Sequence, residues 1–127
     1  MKKDDDGFPT LSPTSLGVRA LDVDVDEAND VQVNGKGMSV SPKWRDININ
    51  RVPKRLRPKL PGARGSNQTF CFRTGSGAFQ RGQFANGLVL ETDSATHGNI
   101  APAAIEPFAT YRENLEATRQ DWQEDEI

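Results

Sequence analysis

Residues 87–102 carry the strongest structural signal in the chain and read Gly87-Leu88-Val89-Leu90-Glu91-Thr92-Asp93-Ser94-Ala95-Thr96-His97-Gly98-Asn99-Ile100-Ala101-Pro102. The apolar run at 88–90 lies between a glycine and polar residues, which predicts a buried strand. The polar segment after it contains His97, the single histidine of the chain. Binding and catalytic groups often follow a strand in this way, because the strand holds them rigidly in place.

The carboxy-terminal part of the chain has the pattern of an amphipathic helix. Its larger side chains recur at spacings of three and four residues, which places them on one face of a helix that begins near Pro107. These residues are Phe108, Tyr111, Leu115, Thr118 and Trp122. We therefore predict that this face packs on a sheet or covers one of its edges.

The remaining pattern predicts short strands. Valines and Leu21 alternate with polar residues over 21–33, with the period of two that a half-buried strand requires, and turn-forming residues separate the two halves. Further short strands are predicted at 67–73 and around Phe79 and Phe84. Together with the terminal helix, these elements predict an α+β fold built on a small mixed or antiparallel sheet.

The chain of 127 residues suits one domain, and Leu, Ile, Val and Phe supply only 27 residues for its core. We predict a disordered leader over residues 1–15, a single domain over residues 16–123 and an acidic tail over residues 124–127. The chain has no signal-like apolar start and no run long enough to cross a bilayer, so a cytoplasmic location without membrane contact is expected.

The formal net charge of -2 conceals a strong partition along the chain. Residues 1–34 sum to -5, residues 35–90 to +10 and residues 91–127 to -7. The segment 43–64 is the most basic part and is interrupted by three prolines, which exclude a long helix. A basic segment of this kind favours contact with nucleic acid or with an acidic protein. The residues we predict for that contact are Lys54, Arg55, Arg57 and Lys59.

Several kinds of chemistry fit the composition poorly. One histidine and the single Cys71 argue against a zinc site, so we predict no metal centre. A lone cysteine also cannot form an internal disulfide, and its place in the alternating run 69–72 is typical of a strand residue. None of the serines lies in the strand-to-helix elbow that serine hydrolases use.

Three short motifs, taken in order, resemble a known family. They are Arg19, the run Gly37-Met38-Ser39-Val40, and the segment Ala95-Thr96-His97 that ends in Ile100-Ala101-Pro102 before the terminal helix. In this order the chain resembles the type VI secretion effector toxins with an ADP-ribosyltransferase-like fold. The resemblance spans residues 16–122.

The resemblance implies an NAD-dependent ADP-ribosyltransferase toxin that is held in check by an immunity or antitoxin protein. It implies that Arg19 contacts the pyrophosphate of NAD, that Ser39 lies beside the nicotinamide ribose and that His97 lies at the edge of the same cleft. Glu91 is the candidate for the catalytic carboxylate. The residues alone leave two alternatives open, which are a non-enzymatic module that binds through segment 43–64 and an antitoxin-like or assembly subunit that recognises a protein partner.

Overall fold

The computed structural model of the chain describes residues 1–75 and 77–126. Its strands are β1 (Asp30–Val31), β2 (Met38–Val40), β3 (Phe72–Arg73), β4 (Gly82–Ala85), β5 (Leu88–Thr92), β6 (Gly98–Pro102), β7 (Glu106–Pro107) and β8 (Gln123–Glu124). One α-helix, α1 (Phe108–Glu116), follows the last long strand, and short 3-10 turns lie at Ala20–Asp22, Trp44–Asp46, Lys54–Leu56 and Arg119–Asp121. The α+β class, the antiparallel pairing and the carboxy-terminal helix predicted from the sequence are confirmed.

The central sheet has four antiparallel strands in the order β2, β6, β5, β4. Its register sets Ser39 opposite Asn99, and Asn99 opposite Glu91. Since opposite residues of antiparallel strands point to the same face, these polar side chains share one face. The next row of the register contains Met38, Ile100 and Leu90, and it therefore belongs to the other, apolar face.

Helix α1 packs on the apolar face of this sheet. The predicted helical face is confirmed for half-buried Phe108 and buried Tyr111 and Leu115. The helix ends at Glu116, so the predicted continuation to Thr118 and Trp122 is wrong: these buried residues flank the 3-10 turn Arg119–Asp121 instead. The hydroxyl of Tyr111 donates a hydrogen bond of 2.6 Å to the carbonyl oxygen of Ile100, so the helix is tied directly to β6. This bond satisfies a buried phenol that would otherwise be costly to desolvate.

A second apolar cluster anchors the basic segment. It contains Val52, Leu56, Ala63 and Cys71, with Trp44, Ile47 and Leu60 packed around it. Burial is the main reason that the pKa of the Cys71 thiol is raised to about 11, followed by the charge of Glu126. A thiol with that pKa is almost entirely protonated at neutral pH, so Cys71 is a packing residue and not a nucleophile.

The structure differs from the alternation read at 21–33. Leu21 lies in a 3-10 turn and is 74% exposed, and only Asp30–Val31 is a strand, paired with β7. The carboxylate of Asp26 accepts hydrogen bonds from the backbone N–H groups of Ala28 and Asp30. These local bonds stabilise a turn where the pattern predicted a longer strand.

The structure also differs from the disordered leader predicted over residues 1–15, because this segment lies against the body. The guanidinium of Arg119 donates to the carbonyl oxygen of Pro9 at 2.8 Å and pairs with Asp4 and Asp6. The hydrogen bond from Arg119 is the main reason that the pKa of Asp6 is lowered. Arg119, 19% exposed at its side chain, acts together with the Lys3–Glu124 ion pair, the bond from the amino terminus to Phe70 and the buried Pro9 to hold this acidic segment.

Replacing Arg119 with Gln should release this segment. Because the variant loses the ion pairs with Asp4 and Asp6 as well as the bond to Pro9, we expect residues 4–11 to become the fastest-exchanging backbone amides and the first site of limited proteolysis. Arg112→Gln is the matched control, since Arg112 is exposed and, among the described residues, contacts the ring of Phe108 without forming an ion pair. Unchanged hydrogen exchange at residues 4–11 in R119Q would contradict the assigned role.

The acidic end also folds back. β8 pairs with β3, and the backbone N–H of Asp125 donates to the carbonyl oxygen of Cys71 at 2.8 Å. The carboxylate of Glu126 forms an ion pair with Arg55. The predicted tail of residues 124–127 is therefore attached at its described positions, and Ile127 lies outside the described residues.

Candidate active-site cleft

Arg19, Ser39 and His97 line one broad, open cleft of about 2030 Å³. The three residues come from separate parts of the chain, which are the 3-10 turn before β1, the edge strand β2 and the connection between β5 and β6. The pairing of β2 with β6 brings Ser39 close to the connection that contains His97, and Arg19 lines the same cleft from the 3-10 turn. Drug-sized ligands usually occupy pockets of about 300–1,000 Å³, so the cleft is larger than a single small ligand requires.

Arg19 is held at the cleft by Asp22. Its Nε and Nη2 atoms donate to the two carboxylate oxygens of Asp22 at 3.2 and 3.0 Å, and Asp22 also accepts the backbone N–H of Arg19 at 2.8 Å. The side-chain hydrogen bonding from the Arg19 guanidinium is the main cause of the lowered pKa of Asp22. A guanidinium has five N–H donors, so three remain to bind an anion in the cleft.

Ser39 occupies the middle of β2 and is exposed. Its position opposite Asn99 is fixed by the register, and Asn99 is itself held by a hydrogen bond of 3.1 Å from its side-chain amide to the carbonyl oxygen of Gly35. Ser39 lines the cleft at the edge strand β2. A serine hydroxyl can both donate and accept a hydrogen bond there.

His97 ends the five-residue connection between β5 and β6. Its Nδ1 atom lies 2.8 Å from both carboxylate oxygens of Asp93, and its carbonyl oxygen accepts the backbone N–H groups of Asp93 and Ser94. The side chains of His97 and Asp93 are 41% and 58% exposed, so the pair is in contact with solvent. A carboxylate on Nδ1 favours the tautomer that carries its proton there, and this leaves Nε2 as an acceptor.

The polar connection is backed by an aromatic ring. The ring of half-buried Phe79 lies so close to Gly98 that an added Cβ atom at that position would be 3.2 Å from the ring. Phe79 and His97 both line the cleft. Phe79 therefore adds apolar surface to the cleft close to Gly98, the residue after His97.

Glu91 is the sequence-predicted site residue that the fold keeps away from the cleft lining. Its carboxylate forms an ion pair with Arg81 at 2.9 Å, and its side chain is 22% exposed. Among the described residues, the carboxylates that line the cleft are those of Asp22, Asp46, Asp121 and Asp125. Glu91 thus stabilises the β4–β5 side of the sheet, and any carboxylate chemistry in the cleft belongs to one of these aspartates.

The four basic residues predicted to contact a partner are largely used within the chain. Arg55 donates to the carbonyl oxygens of Asn67 and Thr69 and pairs with Glu126, while its guanidinium lies over the ring of Phe70. Arg57 donates to the carbonyl oxygen of Ala63, and Lys59 donates to that of Glu126. In the described part of the chain, Lys54 alone of the four makes no side-chain bond.

Sequence reasoning missed the two aspartates that hold the site residues. Asp22 and Asp93 lie three residues after Arg19 and four residues before His97, and such spacings allow a side-chain bond across one turn. The alternating run predicts that Asp22 faces solvent on a strand, and this pattern gives no sign of its pairing with Arg19.

Comparisons with protein-family models, with curated proteins and with solved structures found no match for this chain. None of the helices in residues 1–75 and 77–126 has the length and apolar character needed to span a membrane.

Proposed function

We propose that this protein is an NAD-dependent ADP-ribosyltransferase of the toxin type, acting inside cells, with NAD bound in the cleft described above. The observation that supports this most is the convergence of Arg19, Ser39 and His97 on one cleft, although they lie 20 and 58 residues apart in sequence. These are the three residues that the family resemblance selects for NAD. A shared cleft is what the proposed function requires of them.

The groups that line the cleft and its size support NAD as its ligand. The volume of about 2030 Å³ exceeds that of ordinary small-ligand pockets, which supports a ligand as large as a dinucleotide. The free N–H groups of Arg19 provide a fork for pyrophosphate oxygens. Phe79 provides an apolar face for a ring, next to the polar groups of the β5–β6 connection.

The roles of Ser39 and His97 follow from their positions. The Ser39 hydroxyl binds a ribose hydroxyl from the edge strand, and His97 accepts a second ribose hydroxyl at Nε2 while Asp93 holds Nδ1. In this proposal the two hydrogen bonds fix the orientation of the sugar. Such orientation is where a transferase gains much of its rate, since a misplacement of 1 Å can lower the rate about 100-fold.

The first test is binding of NAD to the purified chain by isothermal titration calorimetry. Wild type should bind, and Arg19→Ala should bind about 10- to 100-fold more weakly, since a hydrogen bond to a charged group contributes about 1.5–3 kcal/mol. Arg112→Ala removes the same charge outside the cleft and should bind NAD as wild type does. A wild-type chain that binds no NAD would end this proposal.

A toxin of this kind requires a partner that protects the producing cell. We therefore propose a cognate immunity or antitoxin protein that covers the cleft. Purification of the tagged chain from its native host should yield that partner in a stable complex, and the complex should bind NAD more weakly than the free chain does. A partner that leaves NAD binding unchanged would act elsewhere on the molecule.

A further inference from the structure

The wall of the cleft next to β2 carries three exposed cations. Lys43, Arg45 and Arg51 line the cleft and are exposed. Within residues 1–75 and 77–126 none of them forms an ion pair or a side-chain hydrogen bond. We name residues 43–51 the basic wall. By contrast, the side chains of Arg55, Arg57 and Lys59 form ion pairs or hydrogen bonds with other residues of the chain.

The basic wall adjoins the residues proposed to bind NAD. Lys43 follows Ser39 by four residues, so their Cα atoms are at most about 14 Å apart. The pKa of Asp22 is lowered mainly by the hydrogen bond from Arg19 and, to a smaller extent, by the positive charge of Arg51. Arg51 therefore lies near the ion pair of Arg19 and Asp22. A ligand on the wall therefore reaches the part of the cleft where Ser39 and Arg19 are found.

An aromatic ring lies among these cations. Trp44 is half-buried on the second apolar cluster, lines the cleft, and has the guanidinium of Arg45 at 5.0 Å from its ring centroid. Cations flanking an aromatic ring in an open groove are the combination that binds single-stranded nucleic acid, in which phosphates contact the cations and a base stacks on the ring. An acidic protein would use the charges but has no need of the ring.

The size of the cleft leaves room for this second ligand. At about 2030 Å³ it is roughly twice the upper range of pockets for one small ligand. The local charge also favours a polyanion, since the basic wall contains three cations and one carboxylate, that of Asp46. Asp22 and Asp125, which line other parts of the cleft, are already paired with Arg19 and Arg73.

We propose, on the basis of the function proposed above, that the basic wall binds single-stranded nucleic acid and that this strand is the acceptor of the ADP-ribosyl group. In the transfer, a nucleophilic nitrogen or oxygen of the strand forms the bond to the anomeric carbon of the nicotinamide ribose. Nicotinamide leaves with the electron pair of the broken C–N bond, and the acceptor atom loses its proton to solvent.

Binding is tested without NAD, by fluorescence anisotropy with labelled single-stranded RNA and DNA of about 12 nucleotides, a length within known site sizes. The triple variant K43Q/R45Q/R51Q should bind at least about 10-fold more weakly than wild type at about 50 mM salt. For this variant, the slope of log K against log salt concentration should be less negative by about 2, as expected when three phosphate contacts are lost. The control K54Q/R64Q/R112Q removes the same charge outside the cleft and should keep the wild-type slope.

Stacking is read from tryptophan fluorescence. Trp44 and Trp122 are the two tryptophans, and Trp122 is buried in the main core. The oligonucleotide should quench the wild-type emission, and Trp44→Phe, which keeps a ring in the second cluster, should remove the quenching. Quenching that persists in W44F would contradict the stacking role of Trp44.

Several outcomes would overturn the proposal. One is equal loss of binding in the two triple variants, and another is competition by poly-glutamate as strong as that by the oligonucleotide, which would indicate a protein partner. Retained NAD binding in K43Q/R45Q/R51Q shows that this variant is folded, so its failure to bind the strand is specific. If wild type binds the strand but not NAD, the transferase proposal fails and the acceptor role fails with it, whereas NAD binding without strand binding overturns only the acceptor site.

Discussion

Replacing His97 with Ala should abolish toxicity when the chain is expressed in cells and should lower NAD turnover by about 100-fold or more. His97 is the only imidazole in the protein, and Asp93 holds its Nδ1 atom at 2.8 Å. In our proposal its Nε2 atom orients the nicotinamide ribose, so its removal should act on kcat more than on NAD affinity. Growth curves and release of nicotinamide measure the two effects.

The controls separate chemistry from folding. Arg112→Ala lies outside the cleft and should remain fully toxic, while His97→Ala should unfold at the same denaturant concentration as wild type because its side chain is 41% exposed. Asp93→Asn should lower turnover less than His97→Ala does.

The tautomer of His97 can be measured directly by NMR, because the chain has a single histidine. The chemical shifts of its ring nitrogens in the neutral form report which nitrogen carries the proton, and a proton on Nε2 would contradict the orientation we describe. A fully toxic His97→Ala chain would remove His97 from the site.

Replacing Gly37 with Ala should cost about 3 kcal/mol of the free energy of unfolding. A Cβ atom at this position would lie 2.1 Å from the carbonyl oxygen of Ile100 and 2.8 Å from the hydroxyl of Tyr111. Neither neighbour can move freely, because that oxygen and that hydroxyl are hydrogen-bonded to each other. The variant must shift β2 or break the bond between helix and sheet, and either change disturbs Ser39. Urea unfolding followed by circular dichroism measures the loss.

Gly82→Ala is the matched control for that substitution. Gly82 is also in the central sheet, but a Cβ atom there meets nothing within 4 Å. Its free energy of unfolding should therefore change by less than about 1 kcal/mol. If Gly37→Ala were as stable as Gly82→Ala, the close packing of β2 against β6 and Tyr111 would be refuted.

The sequence predicts those elements whose signal is local. Strand β5 and the start of α1 are found where the pattern predicts them, although α1 ends at Glu116, before the predicted positions Thr118 and Trp122. β6 was not predicted as a strand, because Gly98, Asn99 and Pro102 are poor strand formers. It is a strand because β2 and β5 pair with it on both sides, and such pairing depends on contacts distant in sequence.

The attached ends illustrate the same limit. The acidic leader and tail have the composition of solvated segments, yet Arg119 binds residues more than 100 positions earlier and Arg55 binds Glu126, 71 positions later. Composition reports how many charges a segment has but not which partners the fold places beside them. The family resemblance selected Arg19, Ser39 and His97, whereas Asp22 and Asp93, which hold two of them, became visible only in three dimensions.

The connection between β5 and β6 has a consequence for how such proteins could diversify. β5 and β6 pair at five positions. The hydrogen bonds of the connection between them run within residues 93–97. Exchanging residues 93–97 should therefore leave the scaffold intact while replacing the reactive groups it displays. Substitution of these five residues alone is therefore a route by which the chemistry of the protein changes while its fold is kept.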